Sequence, residues 1–153
     1  MLLGVLSSSV SACGLTIPDD PDGSLDRIRS SQVLRVGASP RSGWVEVPGM
    51  EGDPTGREPS LVDGFAEELG ATVEWTVSGE EDLVTMLEEG EIDMAVGGFT
   101  DKNAWVDKVG LTRPYVEEEV GGTTEKHVMM VRMGENALQS ELERYLDSAG
   151  GGS

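Results

Sequence analysis

The chain has few of the residues that support cross-linking, metal binding or nucleic-acid contact. Its 153 residues contain one cysteine, Cys13, so no intramolecular disulfide can form. The single histidine, His127, leaves no His/Cys cluster with metal-site spacing, and we predict neither a metal nor another cofactor. Only 11 Lys and Arg stand against 29 Asp and Glu, which gives a formal charge of −18. Because nucleic acid repels such a surface, it is not expected as a partner.

Long apolar runs are also lacking. No segment approaches the roughly 18 apolar residues that a membrane-spanning helix requires. A short leader, residues 1–13, has an apolar stretch and then Val10-Ser11-Ala12-Cys13, which resembles a bacterial lipobox whose cysteine receives lipid. We therefore predict lipidation at Cys13 and anchoring to the bacterial membrane. The alternative is an apolar stub in which the cysteine is incidental.

Composition divides the rest of the chain into three parts. Residues 14–23 combine two prolines with three aspartates and are interpreted as an extended linker. Residues 24–149 have the mixed pattern of one folded domain, and their number suits a single hydrophobic core. The final 150–153 segment, Gly-Gly-Gly-Ser, is predicted to be a disordered tail.

Hydrophobic periodicity predicts alternating strands and helices. Strands are expected over 33–38, 71–77 and 92–96, with helices over 61–69 and 81–89 between them and a short helix beginning at Ser24 as N-cap. Ser78 and Glu81 form a capping-box pattern. Further strands over 115–120 and 127–131, joined through Gly121-Gly122, and a helix over 136–149 complete the order. The pattern predicts an α/β fold: a doubly wound, mostly parallel five-stranded sheet flanked by helices.

Polar and aromatic residues follow the first and third predicted strands, where parallel sheets bind ligands. The first group is Ser39, Arg41 and Trp44; the second is Gly97, Gly98, Phe99, Thr100, Asp101, Lys102 and Trp105. Paired glycines allow close approach to the backbone. For Phe99 and Trp105, packing in the core or at an interface is an equal alternative to ligand contact.

The stretch D-x-x-x-G-G-x-T followed by L-T-R-P-Y (residues 93–115) resembles extracytoplasmic solute-binding proteins of ABC transporters, of the polar-amino-acid type. Leu34-Arg35-Val36-Gly37, residues 56–70 and residues 126–146 are also similar, in the same order. The resemblance implies one lobe of the type II periplasmic-binding-protein fold that binds a small solute without catalysis. Permease subunits of the transporter would be its partners, on the outer side of the membrane.

Within that resemblance, Trp44 would stack on the solute, while Thr100 and backbone N–H groups would bind it. An arginine that pairs with the solute α-carboxylate is expected where Trp105 stands, and an acidic residue where Ser60 stands. The family's second lobe would be inserted near residues 121–124, where only Gly121-Gly122 joins the two strands. Two departures, Trp105 in place of the arginine and Ser60 in place of the acidic residue, leave the ligand open and favour an aromatic, cationic or unidentified solute over an amino acid.

Two other functions remain open from the sequence. One is a membrane-tethered interaction or sensor module that has lost solute binding, and the other is a cleft dehydratase or hydrolase on the same fold. The glutamate pairs at 67–68, 80–81 and 88–89 are interpreted as solvated helix faces rather than acid–base groups. His127 and the methionines at 129, 130 and 133 are interpreted as structural.

Overall fold

The computed structural model describes residues 20–49 and 52–150. The leader with Cys13, most of the linker and the last three residues lie outside this part of the chain. The helices are α1 Ser24–Ser31, α2 Arg57–Glu68, α3 Glu80–Glu89 and α4 Asn136–Gly150. The strands are β1 Val33–Ala38, β2 Thr72–Val77, β3 Met94–Val96, β4 Val109–Leu111, β5 Val116–Val120, β6 Thr123–His127 and β7 Met130–Arg132.

The main sheet has five strands in the order β2-β1-β3-β7-β4. Strand β1 pairs in parallel with β2 and β3, whereas β7 runs antiparallel to both β3 and β4. Four strands therefore share one direction and only β7 opposes them. The predicted mostly parallel five-stranded sheet is confirmed, and the β1-α2-β2-α3-β3 order follows the periodicity of the sequence.

Two strands of the sheet were predicted wrongly. The 115–120 segment forms β5, which pairs with β6 in a separate two-stranded sheet instead of joining the main one. Its Glu117 to Glu119 run puts carboxylates on both faces of the strand, and neither face can then enter the core. The fifth position is taken by β4, which the sequence analysis missed, and β7 starts three residues after the predicted His127.

The β5–β6 hairpin is closed by the predicted glycine turn. Gly121 and Gly122 both have positive φ, 58° and 80°, as a two-residue turn of the primed type requires. The pairing opposes Glu118 to Glu125 and Glu117 to Lys126. The two strands thus close directly on each other, as the sequence predicts for residues 121–124.

Hydrophobic residues form one core on each face of the sheet, which makes the lobe doubly wound. Helices α1, α2 and α4 cover the first face, with Ile28, Phe65 and Leu142 almost fully buried against strands β1 and β3. Helix α3 covers the second face through Leu83 and Leu87, which pack in one cluster with Ala95 and Met130. Both faces of β3 are therefore shielded, which explains its continuous apolar run.

The predicted N-caps are displaced. Helix α1 is capped by Gly23 rather than Ser24, and helix α3 by Gly79 rather than Ser78, whose hydroxyl instead contacts Asp82 at 2.9 Å. The first N–H groups of α1 are satisfied from outside the helix. Glu135 accepts from Asp22 and Ser24, and Asp20 accepts from Leu25.

Asp20 and Glu135 are neighbouring carboxyls at the start of α1, and their pKa values move apart. Partial burial and the neighbouring Glu135 raise the pKa of Asp20 to about 6, while hydrogen bonds from Asp20 and the backbone amides lower the pKa of Glu135 to about 2. The pair therefore holds one proton over the range between these values.

Buried Asp93 anchors the amino-terminal ends of the parallel strands β1 and β3. Its side chain is 1% exposed and accepts hydrogen bonds from the Arg35 backbone N–H at 2.9 Å, the Arg35 guanidinium at 2.8 Å and the Arg27 guanidinium. One carboxylate thus links helix α1, strand β1 and the entry to β3.

Within residues 20–49 and 52–150, no helix is both long and apolar enough to cross a membrane.

The first prediction concerns pH. A raised pKa at Asp20 stabilises the fold at low pH, and this contribution is lost as pH rises through about 6. The lowered pKa of Glu135 stabilises above its ordinary value of 4.5 and is lost as pH falls towards 2. The pair should therefore stabilise most near pH 4, between the ordinary pKa values of the two carboxyls, 3.8 and 4.5. We expect the Tm to fall between pH 5 and 7 by about 4 °C, for about 1 kcal/mol after allowance for solvent screening.

Asp20→Asn should remove this slope, since the amide can donate to Glu135 at any pH. Thermal unfolding followed by circular dichroism at several pH values tests it. Asp26→Asn, an exposed substitution on α1, controls for the general effect of lost negative charge. The same slope in wild type and Asp20→Asn would contradict the assignment.

The second prediction concerns Asp93. Asp93→Ala should destabilise the lobe by about 3 kcal/mol, because it leaves a buried backbone donor and two arginines without their acceptor. Urea unfolding measures the loss, with exposed Asp107→Ala as the control, expected within about 0.5 kcal/mol of wild type. A loss below about 1 kcal/mol at Asp93 would show that water replaces the carboxylate.

Candidate functional site

A cavity of about 250 Å³ opens at the carboxyl ends of β1, β2 and β3, the edge at which parallel sheets bind ligands. It is lined by Arg41, Glu80, Gly98, Phe99, Thr100, Lys102, Asn103, Ala104 and Glu125. Five of these residues belong to the two polar groups that follow β1 and β3 in the sequence. The β5–β6 hairpin contributes Glu125 from one side.

A tight turn after β1 positions Arg41. The backbone N–H of Arg41 donates to the Val45 carbonyl at 2.9 Å, and that of Val45 donates back at 2.8 Å. The Arg41 stem then crosses Gly98 so closely that a Cβ there would lie 2.9 Å from the arginine Cγ and from the Trp44 ring. Gly98 also has φ +62°, so both the contact and the conformation require glycine.

A buried carboxylate, Glu58, holds the glycine turn from behind. Glu58 has no exposed surface and accepts from the Gly98 N–H at 2.8 Å and from the Tyr115 hydroxyl at 2.6 Å. Burial raises the pKa of Glu58, and these hydrogen bonds oppose the rise. Burial and the charge of Glu58 raise the pKa of Tyr115, which keeps its hydroxyl a donor.

This arrangement changes the expected role of the paired glycines. The Gly98 amide, predicted together with that of Gly97 to face the solute, donates to Glu58 inside the protein. This N–H is therefore taken by the chain's own carboxylate, which fixes the turn beside the cavity.

Trp44 lies under the cavity and has no free face for a solute. The indole is 8% exposed and stacks on His127, with ring centroids 3.7 Å apart. The Arg57 guanidinium lies 4.1 Å from the centroid of the same indole, and since His127 occupies one face, the guanidinium covers the other. His127 itself is buried, and its Nε2 lies 3.7 Å from a Glu125 carboxylate oxygen.

Trp105, in the place of the expected arginine, is fixed to the neighbouring helix. Its Nε1–H donates to Glu80 at 2.6 Å, and its backbone N–H donates to the Asn103 side chain at 2.9 Å. The ring is half-buried and packs against the α3 core. The indole thus positions Glu80 at the cavity, and packing was one of its two predicted roles.

The other predicted residues divide into two groups. Gly98, Phe99, Thr100, Arg41 and Lys102 line the cavity. Ser39, Gly97 and Asp101 do not line it: the Ser39 N–H donates to the Val96 carbonyl, and Asp101 is exposed.

Sequence reasoning missed Glu58, Glu80 and Glu125. Glu80 was assigned to a solvated helix face, but it directly follows the end of β2 and could have been found by the rule that identified the other two strand ends. Glu58 and Glu125 carry no comparable local signal. Glu58 is positioned by its hydrogen bond with Gly98, 40 residues further along the chain. Glu125 is positioned by the pairing of β6 with β5 in the hairpin.

The curated relatives that match are longer proteins. The chain is 32% identical over 123 residues to the membrane-bound lytic murein transglycosylase F of two Vibrio cholerae serotype O1 strains. The match covers 77% of this chain and spans 22% of the length of those relatives.

Among solved structures, several single lobes and binding proteins share the fold. The arginine-bound form of domain 1 from TmArgBP has a TM-score of 0.72 at 24% identity, covering 80% of this chain and 98% of that domain. The ancestral amino-acid-binding protein AncCDT-1, a precursor of cyclohexadienyl dehydratase, has a TM-score of 0.75 at 16% identity, covering 84% and 94%. At these identities the likeness establishes the fold of a type II periplasmic-binding domain.

The family model for bacterial extracellular solute-binding proteins, family 3, matches residues 34–150. This range starts within β1, ends with α4, and includes every residue that lines the cavity. The chain therefore belongs to the bacterial extracellular solute-binding proteins of family 3.

Proposed function

We propose that this protein is the solute-binding component of an ABC-type uptake system and binds a small polar solute, such as an amino acid, in the cavity at the strand ends. The observation that carries the proposal is the cavity itself. It lies at the ligand-binding edge of the sheet and is lined by Gly98, Phe99, Thr100 and Lys102 together with Arg41.

The size and lining of the cavity favour a solute comparable to a single amino acid. At about 250 Å³ it falls below the roughly 300–1,000 Å³ of pockets for drug-sized ligands. Thr100, Asn103 and four charged side chains offer both donors and acceptors. Phe99 supplies an apolar wall, and Ser39, Gly97, Trp44 and Trp105 support the lining from behind.

One lobe is sufficient for binding in this proposal. Domain 1 from TmArgBP, a comparable single lobe, has been solved with arginine bound, and it makes L-arginine the first solute to test here. The β5–β6 hairpin closes on itself at the point where the family resemblance places a second lobe. A single lobe cannot close on the solute as a two-lobed clamp does, so we expect modest affinity.

The proposed location is the outer side of the bacterial membrane, with lipid on Cys13 as the anchor and permease subunits as partners. The family is extracellular, and the leader resembles a lipobox. The tether of residues 14–23 would separate the lobe from the bilayer. We propose no catalytic role. Glu80 is hydrogen-bonded to the Trp105 indole, and the His127 beside Glu125 is buried and outside the cavity lining.

A second candidate is a solute-sensing, non-catalytic module that belongs to a larger assembly. The 32% identity to about a fifth of a membrane-bound lytic murein transglycosylase favours it. In that case the chain alone would bind solute without cleaving murein. Co-purification from solubilised membranes separates the two functions, since a permease partner supports transport and a murein-active partner supports the module.

The third prediction tests the binding site. In a thermal-shift screen with the twenty common L-amino acids, we expect at least one to raise the Tm. At an amino-acid concentration of a hundred times Kd, binding should add about 2.7 kcal/mol to the free energy of unfolding. Ala104→Phe, which fills the cavity from its rim, should abolish the shift. No shift with any amino acid in the wild type would overturn the proposal.

Ala149→Phe is the matched control for cavity filling. Ala149 is also exposed, and it lines a different cavity of about 240 Å³ beside Tyr115 and Val116. The same substitution there should leave the solute shift unchanged. Loss of the shift in both variants would indicate a general defect rather than a blocked site.

The fourth prediction tests the glycine turn. Gly98→Ala should destabilise the lobe by about 1–2 kcal/mol for the left-handed conformation, and by about 1–3 kcal/mol more because the Cβ would displace Arg41 and Trp44. Gly70→Ala is the control, since Gly70 has φ +70° and no atom within 4 Å of the added Cβ. Only Gly98→Ala should weaken solute binding, measured by calorimetry. Equal losses of stability and affinity in both variants would contradict the packing argument.

A further inference from the structure

Nearly every basic side chain of this acidic protein is held by a carboxylate. Of the 11 Lys and Arg residues, all of which lie in the described part of the chain, nine have a carboxylate oxygen within 4 Å. The two that have no such partner among the described residues are Arg41 and Lys102. Both line the solute cavity.

With 29 acidic residues, a carboxylate is available near most surface positions, and an ion pair forms at little cost. Among residues 20–49 and 52–150, no carboxylate oxygen lies within 4 Å of Arg41 or Lys102, and both side chains line one cavity. They are disposed to receive an anion from outside the protein.

The same cavity contains two carboxylates, Glu80 and Glu125. The four side chains together are neutral, so a dianion such as phosphate would meet as much repulsion as attraction. A solute with separated opposite charges can interact favourably with both the two cations and the two carboxylates. The charges therefore favour a carboxylate at one end of the solute and an amino group at the other.

Arg41 is built to serve as the rigid member of the cation pair. Its backbone is fixed by the reciprocal hydrogen bonds with Val45, and its stem packs on Gly98. A guanidinium on a fixed base loses little conformational entropy on binding a carboxylate in bidentate fashion. Lys102, on the loop after β3, supplies a second charge from a different element.

We infer that Arg41 and Lys102 form a carboxylate-binding subsite of the cavity. The subsite replaces the arginine that the family resemblance places at position 105, where the Trp105 indole is bound to Glu80. The inference rests on the proposed function and specifies the chemistry of the ligand. The ligand would be an α-amino acid whose carboxylate is bound by Arg41 and Lys102 and whose amino group is bound by Glu80 and Glu125.

The test uses an amino acid and the amine that lacks its carboxylate. Calorimetry with L-arginine and agmatine is the first pair, followed by the other amino acids of the thermal-shift panel and their decarboxylated amines. We expect the wild type to prefer the amino acid by about tenfold or more. In the Arg41→Gln/Lys102→Gln variant, the Kd of the amino acid should rise about 10- to 100-fold while that of the amine changes less than about twofold.

Two further variants sharpen the result. Arg29→Gln/Arg144→Gln removes the same total charge from ion-paired, exposed positions away from the cavity, and it should keep the wild-type preference. Arg41→Lys retains the charge but not the planar fork, and it should fall between wild type and the double glutamine variant.

The outcomes separate the subsite from the function. If the cavity variant keeps the preference for the amino acid, or weakens the amino acid and the amine equally, the subsite is overturned while solute binding stands. If no amino acid binds to the wild type, the proposed function is overturned and the subsite with it. A selective loss of the carboxylate-bearing probe supports both.

Discussion

The buried carboxylate of Glu58 is the constraint on which the geometry of the site depends. It enters from the first turn of α2, accepts from the Gly98 amide in the turn after β3, and binds the Tyr115 hydroxyl just before β5. Removing any one donor would leave a group buried without a partner, at a cost of about 1–3 kcal/mol. Three segments distant in sequence are therefore fixed relative to one another before any solute arrives.

Fixing the turn also arranges what lies on it. With Gly98 held at positive φ, the Arg41 stem and the Trp44 indole pack directly on its backbone. Trp44 is in turn enclosed by His127 and Arg57, so that β6 and α2 are joined beneath the cavity. The floor of the site is thus made of well-packed aromatic and cationic groups. The polar groups that remain accessible are on its rim, where adjustment costs little.

Local patterns predicted most of the fold, and non-local pairing limited the rest. Strand β1 and helix α2 have strong periodicity and clear ends, such as Gly70 at positive φ, and both were found. Strand β4 has only three residues after a polar loop, too few for a period to be detected. Strand β5 was recognised as a strand, but a sequence does not reveal which sheet it joins, since that depends on partners far along the chain.

The site was predictable only to the extent that it follows strand ends. The rule for parallel sheets located Gly98, Thr100 and Lys102, whereas Glu58 and Glu125 acquire their roles from distant partners. Charge pairing is likewise invisible in the sequence, where Arg41 and Lys102 differ in no way from the nine paired cations. The protein's net charge of −18 attracts cations and repels anions over a Debye length. Because the cavity is locally neutral, a solute's carboxylate meets favourable partners only where these two cations stand, so the distribution of charge, rather than its total, determines what can bind.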